Sequence, residues 1–244
     1  MALLEVKGLT KYFGGLAALK NFNFYVEEGE FVGVIGPNGS GKTTLFNCIT
    51  NFYPPTSGRV IFKGRDITKL PTFKISRMGI TRTFQIPKPF PDLTVLENVM
   101  AGAIGMGESI LKAREKAEEI LKFLGMEKLS LEPAGKLNVH GRKLLELARA
   151  LATSPKLLLL DEVAAGLNPT ELDFLIDCIR KIWKSGVTIV MVEHVMKTVM
   201  TLSQRIVVLH QGEKIAEGPP EVIANDTKVI EAYLGRRYAP EEVK

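Results

Sequence analysis

Short runs of aliphatic and β-branched residues alternate along the chain with longer stretches in which apolar positions recur every three or four residues. This is the pattern of an α/β protein whose sheet is at least partly parallel. Residues 3–6, 22–26 and 31–35 read as the first strands, and residues 59–62 follow the turn Pro54-Pro55-Thr56-Ser57-Gly58. Residues 157–160, 187–192 and 206–209 are β-rich runs that end on a polar residue or a turn, which predicts buried strands. Between Asn98 and Ala152 the β signal fades. There Ile110, Leu111, Ala113, Ala117, Ile120, Leu121 and Leu124 fall at helical spacing ahead of a Gly125 stop, so the stretch reads as a separate helical lobe. His210-Gln211-Gly212-Glu213 reads as a short hairpin, and a polar tail follows Leu234.

Composition narrows the class. With 244 residues, 45% of them apolar and 24% charged, the chain can bury a sizeable core, which excludes disordered, collagen-like and coiled-coil classes. No apolar stretch approaches the roughly 20 residues of a membrane-spanning helix, because residues 157–160 stop at Asp161 and residues 187–192 at Glu193. The start Met1-Ala2-Leu3-Leu4-Glu5 lacks the basic flank and long apolar segment of a secretory signal, so a cytoplasmic location is expected. Cys48 and Cys178 make no metal pattern and no disulfide framework. The net charge of +5 is modest and its lysines and arginines are interleaved with carboxylates. It does not call for nucleic acid, and is compatible with anionic phosphates or the cytoplasmic face of a membrane complex.

The most informative segment is Gly36-Pro37-Asn38-Gly39-Ser40-Gly41-Lys42-Thr43, a G-x-x-x-x-G-K-T pattern placed after the strand at 31–35 and before a helix at 44–50. Its glycines let backbone N–H groups turn inward toward phosphate oxygens, and the positive end of the following helix adds to the attraction. Lys42 is expected to reach the β- and γ-phosphates and Thr43 to ligate Mg²⁺, with the loop from Gly36 to Thr44 holding the nucleotide. A phosphate loop needs a carboxylate to organise its metal. Leu157-Leu158-Leu159-Leu160-Asp161-Glu162 supplies Asp161 for the Mg²⁺ shell, and Glu162 to hold the attacking water and accept its proton. No N-K-x-D guanine motif is present, which favours ATP over GTP.

With these residues in place the chain resembles the nucleotide-binding subunit of an ABC transporter over nearly its whole length. That resemblance implies a P-loop NTPase (RecA-like) α/β core with a small antiparallel β subdomain and an inserted helical subdomain. The expected boundaries are 1–86 and 151–216 for the core, 87–150 for the helical subdomain and 217–244 for a C-terminal helical tail, all within one ATPase domain. It implies that Phe13 stacks on adenine, that Gln85 touches Mg²⁺ and the attacking water, that Gly166-Leu167-Asn168 crosses a dimer interface, and that His194 senses the γ-phosphate. The segments Thr81-Arg82-Thr83-Phe84-Gln85, Phe90-Pro91-Asp92-Leu93-Thr94-Val95-Leu96-Glu97-Asn98-Val99 and Glu231-Ala232-Tyr233-Leu234-Gly235 are similar to subunits of branched-chain amino-acid importers. Urea-type and lipopolysaccharide-type transporters share parts of the pattern. The implied partners are a second ATPase subunit in a heterodimer, membrane permease subunits docked near Pro87-Lys88-Pro89-Phe90, and a periplasmic or extracellular solute-binding protein.

One departure matters. Where the family signature L-S-G-G-Q is expected, the chain has Leu137-Asn138-Val139-His140-Gly141, followed by Arg142 and Lys143. Asn138 and Gly141 are expected to meet the nucleotide of the opposite subunit, with Arg142 and Lys143 offering charge, while the β-carbons of Val139 and His140 hold that phosphate away. Val163 and Asn168 stand where proline and aspartate are usual. The altered signature leaves open a regulatory module that binds nucleotide without turnover. A DNA-repair or chromosome-maintenance ATPase of this family needs a long insertion for which the stretch from Gln85 to Leu137 has no room.

Overall fold

The computed structural model describes residues 2–234. In chain order the elements are β1 (Ala2–Phe13), β2 (Leu16–Glu27), β3 (Phe31–Ile35), α1 (Lys42–Ile49), β4 (Ser57–Phe62), β5 (Arg65–Asp66), α2 (Thr72–Arg77), β6 (Ile80–Arg82), α3 (Val95–Gly105) and α4 (Ile110–Phe123). They continue with α5 (Val139–Ala152), β7 (Leu157–Asp161), α6 (Pro169–Lys184), β8 (Thr188–Val192), α7 (Met196–Leu202), β9 (Arg205–His210), β10 (Glu213–Gly218), α8 (Pro220–Ala224) and α9 (Thr227–Leu234). The chain forms two compact units, one built from the chain up to Ile75 and from Thr188 onward, the other from Ser76–Val187. The polar tail expected after Leu234 lies outside the described residues.

In the first unit, β1 pairs antiparallel with β2 and β4, and β4 with β5, giving a sheet in the order β2-β1-β4-β5. Alternate positions of β2, Phe22, Phe24 and Val26, face the core, the period-2 pattern of a half-covered strand. Register shifts along β1 carry it past Val6, where its apolar run ends, as far as Phe13. The strand is therefore much longer than its hydrophobic pattern. Behind this sheet β3 runs parallel to β8 and β9, with Val32 opposite Val190 and Arg205. All five residues of β3 and of β8 are buried, as expected for parallel strands covered on both faces. Gln211 and Gly212 both take positive φ in the two-residue turn between β9 and β10, the geometry that matches the twist of a hairpin.

In the second unit β6 lies parallel to β7, and the Thr83 N–H donates to Leu159 O just beyond the pair. Helices α3, α4 and α5 make the helical lobe. Each starts on a polar cap: Thr94 with Glu97 in a reciprocal capping box, Ser109, and Asn138. Asn98 is fully buried in α3. Its amide accepts from the Phe90 N–H and donates to the carbonyls of Phe90, Leu93 and Thr94, which pins the segment entering the lobe. Of the apolar residues at helical spacing, Ala113, Ala117, Leu121 and Leu124 are buried, but Ile110 and Leu111 are 72% and 74% exposed. They belong to the first turn of α4, which lies outside the packed part of its stripe.

Arg205, at the start of β9, ties the first unit together. Its guanidinium donates to both carboxylate oxygens of Glu30 at 2.7 and 3.0 Å, to the Tyr25 carbonyl at 2.8 Å and to Glu217. It also lies 4.5 Å from the Tyr25 ring centroid. Removing it leaves the mostly buried Glu30 carboxylate without its cation and Glu217 with Lys214 alone, so Arg205→Met should lower the unfolding free energy by about 2–4 kcal/mol. Denaturant titration monitored by circular dichroism measures this loss.

Candidate functional site

The loop between β3 and α1 is shaped by close backbone approach. Gly36 has φ +152°, and a β-carbon there would lie 2.0 Å from Leu209 O; Gly41 has φ +112°, and a β-carbon there would lie 2.4 Å from Ala18 O. Only glycine fits either position. Gly41 also caps α1 without a side-chain acceptor, so the first amide groups of the helix are not satisfied by a cap. Lys42 is buried and its ammonium donates to Gly36 O at 2.8 Å and Pro37 O at 3.0 Å, lying across the loop. The buried Ser40 Oγ has no hydrogen-bond partner among the described residues. Thr43 is exposed and Thr44 half-buried, while Asn38 and Gly39 form the exposed rim. An uncapped helix start, a spanning ammonium and an unmatched hydroxyl are a donor set that fits a polyanion.

The first unit also places Phe13 and His194, which the family resemblance singled out, beside Tyr53 and Glu193 respectively, which it did not. Phe13, at the exposed end of β1, packs edge-on against Tyr53 with centroids 5.5 Å apart, and the Lys11 ammonium lies 5.0 Å from its ring. Burial raises the pKa of the Tyr233 hydroxyl on α9, against a hydrogen bond with the Gly36 backbone. At the end of β8 the fully buried Glu193 carboxylate accepts from the N–H groups of His194 and Val195 at 3.1 and 3.4 Å, shaping the turn that presents the exposed His194. An acid closing a β-rich run was the available signal for Glu193, the same one that marks Asp161.

The second unit carries the carboxylates. Asp161, fully buried at the end of β7, accepts from Arg82 Nη2 at 2.9 Å, and its own N–H donates to Thr83 Oγ1 at 3.0 Å. Burial lowers the Arg82 pKa while the Asp161 charge raises it, and the guanidinium also covers the Phe84 ring at 4.6 Å. Gln85 and Glu162 are brought together: Gln85 Nε2 donates to Glu162 Oε2 at 2.6 Å. Glu162 itself has φ +49°, unusual for a residue with a β-carbon.

Helix α5 meets this region along one face. The buried Lys143 ammonium donates to Glu162 O at 2.9 Å and Val163 O at 3.2 Å. Lys143 therefore turns inward instead of offering charge at the signature, because two backbone carbonyls outbid solvent for its ammonium. Arg149 Nη1 donates to Lys88 O at 2.9 Å and to Glu146 Oε2 at 3.3 Å, and its guanidinium lies 5.1 Å from the Phe90 ring. Glu146 is buried, and desolvation raises its pKa against the opposing influence of Arg149, a backbone hydrogen bond from Phe84, and Arg82. At the head of α5, Asn138 Oδ1 accepts from the Gly141 N–H at 2.8 Å, so these two residues serve as a helix cap. Val139 is 60% exposed, His140 packs against Phe174 at 6.3 Å, and Arg142 donates to Gly135 O at 3.1 Å. Asn168 likewise caps α6, in a reciprocal box with Glu171.

Residues 19–165 match the ABC transporter family. The chain belongs to that family. Residues 213–239 further match the branched-chain amino acid ATP-binding cassette transporter family. The ABC cassette described here is 43% identical over 247 residues to the probable branched-chain amino acid transport ATP-binding protein LivG of Archaeoglobus fulgidus, covering 96% of each chain. It is equally 43% identical to the high-affinity branched-chain amino acid transport ATP-binding protein BraF of Pseudomonas aeruginosa, over 96% of this chain and 98% of that one. Among solved structures it superposes on the ADP conformation of an ATP-binding cassette of an ABC transporter with a TM-score of 0.87, at 36% identity, covering 97% of this chain and all of that one. The fold is thus that of a P-loop NTPase cassette.

The raised pKa of Glu146 has a definite consequence for this cassette. A carboxyl whose native pKa lies above its unfolded value contributes stability that is fully present below the unfolded pKa and is lost as pH rises through the native one. Glu146→Gln abolishes that titration. The difference in melting temperature, wild type minus Glu146→Gln, should therefore fall as pH rises from the ordinary glutamate range toward neutrality. Thermal melts of both proteins across this range measure the slope.

Proposed function

We propose that this chain is the ATP-hydrolysing subunit that energises a membrane importer of branched-chain amino acids. The phosphate loop carries the reading: its backbone is shaped by glycines that nothing larger can replace, and it presents an uncapped helix start and the Lys42 ammonium to a polyphosphate. The amino-acid class rests on the likeness to LivG and BraF proteins. In this reading the protein works at the cytoplasmic face of the cell membrane. It pairs with a second ATPase subunit, docks permease subunits near Pro87-Lys88-Pro89-Phe90 and serves a complex that includes a solute-binding protein, with no role for nucleic acid.

The roles follow from the chemistry of each side chain. Phe13 offers a face for adenine, and the loop from Gly36 to Thr44 holds the phosphates, with Lys42 neutralising the β- and γ-phosphates. Thr43, Gln85 and Asp161 would hold Mg²⁺, which when bound offsets the negative charge on the phosphate oxygens. Glu162 holds the attacking water and accepts its proton as the water oxygen bonds to the γ-phosphorus and the bridging bond to the β-phosphate breaks. His194 supports the γ-phosphate. The Gln85 amide, already bonded to Glu162, fixes the direction of that carboxylate. This intact Gln85–Glu162 pair favours turnover over a purely regulatory nucleotide site.

Binding and chemistry separate in two variants. Lys42→Ala should lose most affinity for a fluorescent ATP analogue while keeping its melting temperature, because the glycines shape the loop. Glu162→Gln should bind the analogue normally and lose turnover by roughly 10²- to 10⁴-fold, with His194→Ala behaving similarly. Wild-type turnover in Glu162→Gln removes that residue from the role of base.

The altered signature predicts asymmetry between the two nucleotide sites of a heterodimer. The isolated chain, whose only partner is itself, should hydrolyse ATP poorly. In the heterodimer, Glu162→Gln here should abolish more activity than the equivalent change in the partner, whose ATP would face Val139 and His140. Replacing Asn138, Val139 and His140 by serine, glycine and glycine should raise the activity of the isolated chain. Serine preserves the α5 cap, while each glycine lowers helix stability by up to about 1 kcal/mol. Steady-state phosphate release decides it, and equal losses from the two glutamate changes would refute the asymmetry.

A further inference from the structure

Glu162 stands in a backbone conformation that residues with a β-carbon disfavour, at φ +49°, directly after the fully buried Asp161. Something must hold the turn there. In an extended chain successive carbonyls point to opposite sides, so two adjacent ones converge on a single cation only where the backbone turns sharply. The Lys143 ammonium receives such a pair, Glu162 O at 2.9 Å and Val163 O at 3.2 Å, and its side chain is buried. Burying an ammonium is costly unless good acceptors surround it, which makes the arrangement sensitive to the exact path of the chain. The Glu162 side chain is gripped separately by Gln85 at 2.6 Å. One contact thus holds the carboxylate and another the backbone that aims it.

Lys143 projects from α5, the helix that Asn138 caps and whose exposed first residue is Val139. A helix moves nearly as a rigid rod over so short a span, so a displacement of the signature end is carried to Lys143 and from there to the Glu162 turn. We propose that Lys143 is a positioning residue for Glu162, and that it couples the signature segment of this chain to its own hydrolytic carboxylate. The proposal rests on the assignment of Glu162 as the base.

The test uses the complex co-purified through a tag on the full chain, with ATP as substrate and single-turnover as well as steady-state phosphate release. Lys143→Met keeps the apolar stem of the side chain but removes the ammonium and its donors. It should lower kcat by roughly 10- to 100-fold with KM for ATP within about twofold of wild type, because it displaces the base without touching the phosphate loop. Lys143→Arg, which retains donors and charge, should recover most of the loss. In a Glu162→Gln background Lys143→Met should produce no further decrease, since the group it positions is already gone. Wild-type kcat in Lys143→Met overturns the proposal, and so does a full additional loss on top of Glu162→Gln. Should Lys143→Met unfold, Lys143→Gln keeps a neutral amide NH2 donor without the charge: an intermediate kcat at unchanged KM supports the role, and a wild-type kcat overturns it. Full turnover in Glu162→Gln alone refutes the base assignment instead, a result distinguishable from failure of Lys143 because it appears with Lys143 intact.

Discussion

The space that Gly36 leaves empty is the constraint from which the nucleotide loop follows. A β-carbon at that position would sit 2.0 Å from the Leu209 carbonyl, so the loop can turn back over the end of β3 only because nothing projects there. That turn lets the Lys42 ammonium reach back to the Gly36 and Pro37 carbonyls and leaves the start of α1 without a side-chain cap. A fully buried parallel strand supplies the rigid floor. Because β3 is paired with β8 on one side and β9 on the other, the loop starts from a fixed point, and the amide groups of α1 are held in place before any ligand arrives.

The second unit solves a different problem, which is accommodating acidic side chains in its interior. The Asp161 carboxylate is matched by Arg82 and its backbone N–H by the Thr83 hydroxyl, while Glu146 is paired with Arg149. A buried ion pair contributes little net stability compared with a well-packed apolar substitute, but removing either member is costly. Such pairs lock geometry. Here they tie the residues on either side of Gln85 to β7 and α5: Arg82 precedes Gln85 and bonds Asp161, while Lys88 follows it and is bonded by Arg149. The segment that carries Gln85 is therefore held at both ends while Gln85 itself remains exposed and bonded to Glu162.

Helix α5 gathers several of these ties. Its cap is the departed signature, its middle holds the Glu162 turn through Lys143, and its later turns hold the Lys88–Phe90 segment through Arg149. A family motif read only for what it presents to a partner misses this inward face. The substitutions at the signature leave the helix start intact, since Asn138 still accepts from Gly141 as a cap residue should. What they alter is the exposed surface at Val139, so loss of the usual residues there need not loosen the interior of the same helix.

The sequence alone determined what depends on local spacing: the glycine loop with Lys42 and Thr43, the acidic pair closing an apolar strand, the buried β-rich runs and the Gln211-Gly212 hairpin. Each is encoded in a few consecutive residues whose conformational preferences or periodicity speak for themselves. Only the tertiary structure decided what depends on distant residues meeting. The three-residue β6 is too short to carry a period and exists because β7 pairs with it. Lys143, expected to offer charge at the signature, is claimed instead by the carbonyls of Glu162 and Val163, and Asn138 and Asn168 prove to be helix caps. Ile110 and Leu111 match the helical stripe yet remain exposed, because periodicity specifies a face and not whether a neighbour covers it. Glu193 and Arg82 acquire their roles from the turn and the carboxylate beside them, which pairwise electrostatics in a buried site fixes and a linear pattern does not record.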